Sequence, residues 1–275
     1  MAIRKRMAHD SFQFKQFTIR QDRCAMKVGT DGTLLGAWAH GGQRILDVGT
    51  GTGLIALMMA QRFPEAEVTA IDIDAEAVRQ AQENVMTSPF RDRIKTYLMD
   101  IRTYPSPGLA YDPSPTGEGN LNGSGEEEDI QPVGLSKPFS CTEGNGDGID
   151  GSGYSSIVCN PPFFISSLKC PDSRRSIARH ADTLTYGQLM TAARRLLDED
   201  GELSVVIPAE GRERMDQEAA LAGMFKSRQW AVRTAAGKPP KRYLMAFTLH
   251  PRPLETGEIT LGTPQAQELT KDFYL

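Results

Sequence analysis

The 275-residue chain reads as an α/β domain, a doubly wound, mostly parallel sheet with an antiparallel last strand. Two observations lead there. Short β-branched or apolar runs alternate with segments of helical periodicity, the pattern of a parallel sheet covered by helices. A glycine-rich turn, Gly49-Thr50-Gly51-Thr52-Gly53, joins the first such run to the first such helix. With 39% hydrophobic residues, the chain can bury a substantial core.

The elements follow in order. Arg44 to Val48 is an apolar strand that stops at the glycines, and Leu54 to Ala60 is a buried helix. Glu67 to Ile73 is a second strand. Ala77, Val78, Ala81 and Val85 have helical spacing within Ala75 to Val85, and Ile94 to Met99 is a third strand. Ser155 to Cys159 is the fourth, Tyr186 to Leu197 a helix, Gly201 to Pro208 the fifth strand and Glu210 to Leu221 another helix. Apolar runs at Trp230 to Val232 and Tyr243 to Leu249, divided by Gly237-Lys238-Pro239-Pro240, form a closing antiparallel pair.

Residues 105–153 interrupt the pattern. Gly, Pro and Ser occupy 23 of their 49 positions, and Glu126 to Asp129 is an acidic run. Such a segment buries too little apolar surface to offset its ordering entropy, so it is expected to be a disordered acidic insertion. It also hides the charge of the rest. The net charge is −4, but the segment holds nine acidic residues and one basic one. Elsewhere 30 basic residues face 26 acidic, a net +4 that suits a polyanionic partner. The expected organisation is an N-terminal extension at 1–43, a core domain at 44–104 and 154–251, the insertion at 105–153, and a tail at 252–275 packed on the domain.

No apolar run approaches the ~20 residues that cross a bilayer, and the basic N-terminus is not followed by a signal-peptide core. The expectation is a cytoplasmic protein with no membrane association and no obligate protein partner. The four cysteines and four histidines are scattered. No metal site is expected, because zinc ligands usually cluster in sequence.

The glycines bear on function. Close approach of backbone to a ligand, in a turn of unusual dihedrals, calls for residues without a side chain. The spacing is G-x-G-x-G, unlike the G-x-G-x-x-G that seats a pyrophosphate. Asp47 would repel a pyrophosphate and attract a cation. S-adenosylmethionine, which carries an ammonium and a sulfonium, fits that preference. Asp72 ends the second strand, where a carboxylate can accept from both ribose hydroxyls, with Asp74 as the alternate. Asp100 ends the third, within reach of an adenine amino group. All lie at carboxyl ends of parallel strands, where open α/β sheets bind ligands.

Asn160-Pro161-Pro162-Phe163 follows the fourth strand into the same crevice. The amino nitrogen of adenine is a poor nucleophile because its lone pair is delocalised into the ring. The Asn160 side-chain oxygen and the Pro161 carbonyl could accept its two hydrogens and favour a pyramidal nitrogen. Pro161 and Pro162 would hold both acceptors in place, and Phe163 would stack a splayed-out base. An amide nitrogen poses the same problem, so a glutamine side chain stays open as acceptor.

These two motifs resemble those of the class I, Rossmann-like adenine-N6 and glutamine-N5 methyltransferases. Met26-Lys27-Val28-Gly29-Thr30-Asp31-Gly32 and the ending Leu269 to Leu275 are similar to the bacterial family that methylates the adenine 3′ of the anticodon in a valine tRNA. The resemblance covers nearly all of the chain except residues 105–153. It implies that Lys27, Thr30 and Asp31 contact the amino-acid end of S-adenosylmethionine, and that the partner is tRNA. Basic residues at Arg174, Arg175 and Arg179, and at Lys241 and Arg242, are the candidate RNA contacts. Methylation of adenine in ribosomal RNA or DNA, protein glutamine-N5 methylation and a silent nucleoside-binding module are the alternatives.

Overall fold

The computed structural model describes residues 10–24, 27–106, 153–161 and 184–274. Nearly all of the acidic segment falls outside them. A two-stranded hairpin, β1 (Ser11–Gln13) and β2 (Thr18–Arg20), precedes helix α1 (Thr30–Trp38). Then come β3 (Arg44–Val48), α2 (Leu54–Arg62), β4 (Glu67–Asp72), α3 (Ala75–Met86) and β5 (Ile94–Leu98). After the acidic segment follow β6 (Tyr154–Cys159), α4 (Tyr186–Leu196), β7 (Leu197–Pro208), α5 (Arg212–Leu221) and β8 (Phe225–Arg233). The chain closes with β9 (Arg242–Thr248), β10 (Glu255–Thr260) and α6 (Pro264–Thr270).

Eight strands form one sheet in the order β10-β8-β9-β7-β6-β3-β4-β5. Strands β5, β4, β3, β6 and β7 are parallel neighbours. The antiparallel pair is present, but β9 lies inside the sheet, antiparallel to both β7 and β8. The last strand is instead β10, parallel to β8 at the edge. Only Ile259 of β10 is fully buried, and polar residues dominate the rest, so the run carries no apolar signal. Its pairing comes from backbone hydrogen bonds to β8, which any sequence can supply.

Both faces of the sheet are covered, which explains the near-continuous apolar runs of the central strands. Ile45, Val158, Val206 and Leu244 pack on one side with α1 and α2. Leu46, Ile157, Val205 and Met245 pack on the other with α4 and α5. Helix α1 lies close against α2 because it carries glycine at the contact. A Cβ at Gly36 would fall 2.8 Å from Met58 Sδ, and one at Gly32 would fall 3.3 Å from Leu54 Cδ2. That proximity brings the start of α1 over the glycine-rich turn. Among the described residues, no helix is long and apolar enough to cross a membrane.

Candidate active site

The strand order reverses between β3 and β6, which leave the centre of the sheet side by side. Val48 is paired with Cys159, so Gly49 and Asn160 are the next residues of adjacent strands. Such a switch point opens a crevice beyond the carboxyl ends of the strands. Two cavities meet there and share Gly49, Gly51 and Asn160.

The three glycines of the turn all have left-handed backbone, with φ of 69°, 55° and 81° at Gly49, Gly51 and Gly53. A Cβ at Gly49 or Gly51 would meet no protein atom within 4 Å, so the dihedral itself is what requires glycine there. At Gly53 a Cβ would also press on Ala81 of α3, 3.3 Å away. The turn is pinned by main-chain bonds from Gly49 and Thr50 to the Ile71 carbonyl, and by Gly51 N to Asp72 Oδ2 at 2.9 Å.

Asp47 lies beneath this turn and lines neither cavity. It is fully buried, with Oδ2 accepting from Thr50 Oγ1 at 2.6 Å and from the Ala56 amide at 3.1 Å. Its Oδ1 is buried without a hydrogen-bond partner among the described residues. Burial pushes its carboxyl up to about 7 despite those two hydrogen bonds. The folded protein therefore holds this proton more tightly than the unfolded chain, and the group's contribution to stability falls as pH rises from about 4 to about 7. Asp47→Asn, which keeps an acceptor for Thr50, should remove that slope. Relative to the parent, its melting temperature should rise more at pH 8 than at pH 4 in ligand-free thermal melts; equal shifts at both pH values would refute this.

The first cavity, of about 220 Å³, is lined by Asp72, Ile73 and Asp74 on one side and by Met99, Asp100, Ile101 and Arg102 on the other. Asp72 Oδ1 also accepts from Asp74 N at 3.0 Å, and burial raises its carboxyl. Asp74 caps α3 through Glu76 N. Asp100 is braced by Arg102, through its backbone amide at 2.8 Å and its Nε at 2.7 Å. Partial burial raises the Asp100 carboxyl, but the Arg102 hydrogen bonds and charge outweigh this and hold it below its ordinary value. Acidic groups on both sides and apolar Ile73 and Ile101 in the walls suit a nucleoside.

The second cavity, of about 300 Å³, is lined by Lys27, Gly29, Thr30, Asp31 and Gly32 facing Thr50, Thr52, Leu54 and Ile55. Helix α1 opens there on Gly29, which supplies no side-chain cap. Its first-turn amides lack intrahelical acceptors and favour an anion. Asn160 stands at the junction of the two cavities, with its Oδ1 buried and without a hydrogen-bond partner among the described residues. An unpaired buried acceptor is costly unless a ligand donor meets it.

Comparison with known proteins places the chain. A family model described as a methyltransferase domain matches residues 45–113. A Bacteroides thetaiotaomicron protein named tRNA1(Val) (adenine(37)-N6)-methyltransferase is 39% identical, aligned over 98% of this chain and 99% of its own. Proteins of the same name from Phocaeicola vulgatus and Trichodesmium erythraeum are 41% and 38% identical over similar shares. The chain belongs to the tRNA1(Val) (adenine(37)-N6)-methyltransferase family. Among solved structures, a predicted O-methyltransferase from Agrobacterium tumefaciens superposes with a TM-score of 0.57 at 14% identity, over 88% of this chain and 96% of its own. The TYW2 protein of P. horikoshii, in complex with MeSAdo, superposes with a TM-score of 0.51 at 11% identity, over 86% and 69%. At these identities the likeness concerns the fold, which is that of a Rossmann-like class I methyltransferase.

Within this family frame, the structure brings most of the sequence-selected residues together. Lys27, Thr30, Asp31, Gly49, Gly51, Asp72, Asp100 and Asn160 line the joined cavities. Gly53 turns the loop into α2, and Pro161 is buried directly after Asn160. Pro162, Phe163, Arg174, Arg175 and Arg179 lie outside the described residues. Lys241 is exposed. Arg242, chosen from sequence for RNA, donates its Nε to Asp31 Oδ2 at 2.7 Å and so ties β9 to the start of α1. Sequence reading passed over Cys24, Ile73, Ile101 and Arg102. Ile73 was discoverable from its place between Asp72, which ends β4, and Asp74, which caps α3; in the structure it is 54% exposed. Nothing in the spacing marks Cys24.

Proposed function

We propose that the protein transfers a methyl group from S-adenosylmethionine to the N6 amino group of an adenine in tRNA, the adenine 3′ of the anticodon in a valine tRNA. The single observation that carries the reading is Asn160 Oδ1, a buried acceptor without a partner among the described residues, at the junction of the two cavities. Family membership supplies the acceptor's identity.

The residues present fit the ligand. Asp72 accepts from the ribose hydroxyls, with Asp74 beside it, while Asp100 faces the adenine amino group and Ile73 and Ile101 flank the ring. The first-turn amides of α1 and Lys27 face the carboxylate of the amino-acid end, and Asp31 its ammonium. Asp47 acts from below, holding the glycine turn through Thr50 and Ala56. Bound there, S-adenosylmethionine supplies an electrophilic methyl group on positively charged sulfur.

Asn160 Oδ1 and the Pro161 carbonyl accept the two hydrogens of the target amino group. That pairing favours a pyramidal nitrogen and turns its lone pair out of the ring, towards the methyl group. No ionisable base is needed, because the nitrogen becomes acidic only once methylated and then releases its proton to solvent. Phe163 stacks the extruded base, and Arg174, Arg175, Arg179 and Lys241 hold the RNA backbone. The reaction takes place where tRNA is, in the cytoplasm.

The test is mass mapping of nucleosides in valine tRNA from a strain lacking the gene, paired with methylation of an unmodified transcript in vitro. N6-methyladenosine beside the anticodon should vanish in the first and form in the second. Methylation of ribosomal RNA, DNA or a glutamine peptide, with valine tRNA untouched, would overturn the substrate.

A further inference from the structure

Asn84 lies on α3 with no exposed surface, and a buried carboxamide must be satisfied. Its three hydrogen bonds all go to main-chain atoms. Oδ1 accepts from Arg20 N, and Nδ2 donates to Arg20 O and to Thr52 O, each at 2.8 Å. Thr52 sits in the glycine turn, whereas Arg20 ends β2 and leads towards Cys24. One side chain thus joins the inner wall of the cleft to the N-terminal segment that builds its outer wall. One turn earlier, the equally buried Gln80 accepts from Arg23 N at 3.0 Å. Gln21 Oε1 then accepts from Val28 N at 2.8 Å, carrying the connection to the Lys27–Gly32 stretch.

We propose that Asn84 is a positioning residue for S-adenosylmethionine, setting the distance between the glycine turn and the outer wall formed by Cys24 and residues 27–32. The inference rests on the cofactor reading above. Neighbours Ala77, Val78, Ala81 and Val85 supply the apolar packing of α3. The partners of Asn84 are instead one bond to the ligand-facing turn and two to the segment that covers it. Removing the carboxamide leaves the methyl-transfer groups intact and lets the two walls separate. Affinity should suffer, and the chemical step should not.

Calorimetric titration of the full-length protein with S-adenosylmethionine, together with steady-state kinetics on tRNA, tests this. Asn84→Ala should bind S-adenosylmethionine about ten-fold more weakly and raise its KM by a similar factor, with kcat within about two-fold. Asn84→Asp would aim a carboxylate at two carbonyl oxygens. Its affinity relative to the parent should recover as pH falls from 8 to 6 and the carboxyl regains a proton to donate. Val85→Ala, which trims the core one residue away, should leave the affinity unchanged. Parental affinity in Asn84→Ala, or an equal loss in Val85→Ala, overturns the proposal. Should Asn84→Ala not fold, Gln21→Ala, which removes the Val28 acceptor nearer the surface, is read by the same criteria. Failure of the parent protein itself to bind S-adenosylmethionine would instead sink the cofactor reading.

Discussion

Asn160→Ala is expected to bind S-adenosylmethionine within about two-fold of the parent protein and to lose kcat by about 10²–10³-fold, the range seen when one preorganised transition-state hydrogen bond is deleted. The asymmetry follows from where the side chain stands. Asn160 lines both cavities, and its Oδ1 is buried without a hydrogen-bond partner among the described residues, so that acceptor takes no part in holding the glycine turn. On the proposed reading, its acceptor meets a donor arriving with the substrate. Deleting it should then remove one of the two proposed contacts that withdraw the amino lone pair from the ring, and leave Asp72, Asp100 and the turn as they were. Single-turnover methyl transfer with calorimetric binding separates the two effects. Retained turnover would refute the role in the chemical step, and lost binding would recast Asn160 as a cofactor residue.

Asp72→Ala should have the opposite signature, a loss of S-adenosylmethionine affinity on the order of 10²-fold, since hydrogen bonds to a charged group contribute about 1.5–3 kcal/mol each. Asp72 supports the turn as well as lining the first cavity. Its Oδ2 accepts from Gly51 N and its Oδ1 from Asp74 N. Without it the Gly51 amide loses its acceptor, and the ribose hydroxyls lose theirs. Asp74→Ala is the informative companion. It removes the cap of α3 and should cost about 1 kcal/mol of stability, with a smaller change in affinity. A larger affinity loss at Asp74 than at Asp72 would exchange their assigned roles. Titration calorimetry and urea denaturation of both variants decide the matter.

How far these sites were legible in the sequence depends on the range of the interaction that makes them. The turn from β3 into α2 was readable because three left-handed positions in five residues nearly require glycine, and the runs on either side are short and apolar. Asp72, Asp100 and Asn160 were readable because each ends a strand or follows one within two residues, so the sheet direction alone points it at the crevice. Asp47 was readable as an acidic residue of the site but not as one lying underneath it. Which side of a turn a carboxylate occupies is set by the helix that donates to it, here through Ala56. Arg242 shows the same limit. Its charge suggested RNA, whereas the fold brings it to Asp31, a partner far away in sequence.

From the sequence alone came the alternating α/β pattern, the glycine turn, the strand-end acids and the Asn-Pro-Pro-Phe motif, all products of local periodicity and residue type. The tertiary structure alone decided that β9 enters between β7 and β8, that a polar run becomes edge strand β10, and that Asn84 ties the glycine turn to the N-terminal segment. Backbone pairing at a sheet edge and hydrogen bonds from a buried carboxamide leave no periodic trace in the chain. They depend on which main-chain atoms folding brings within about 3 Å of one another.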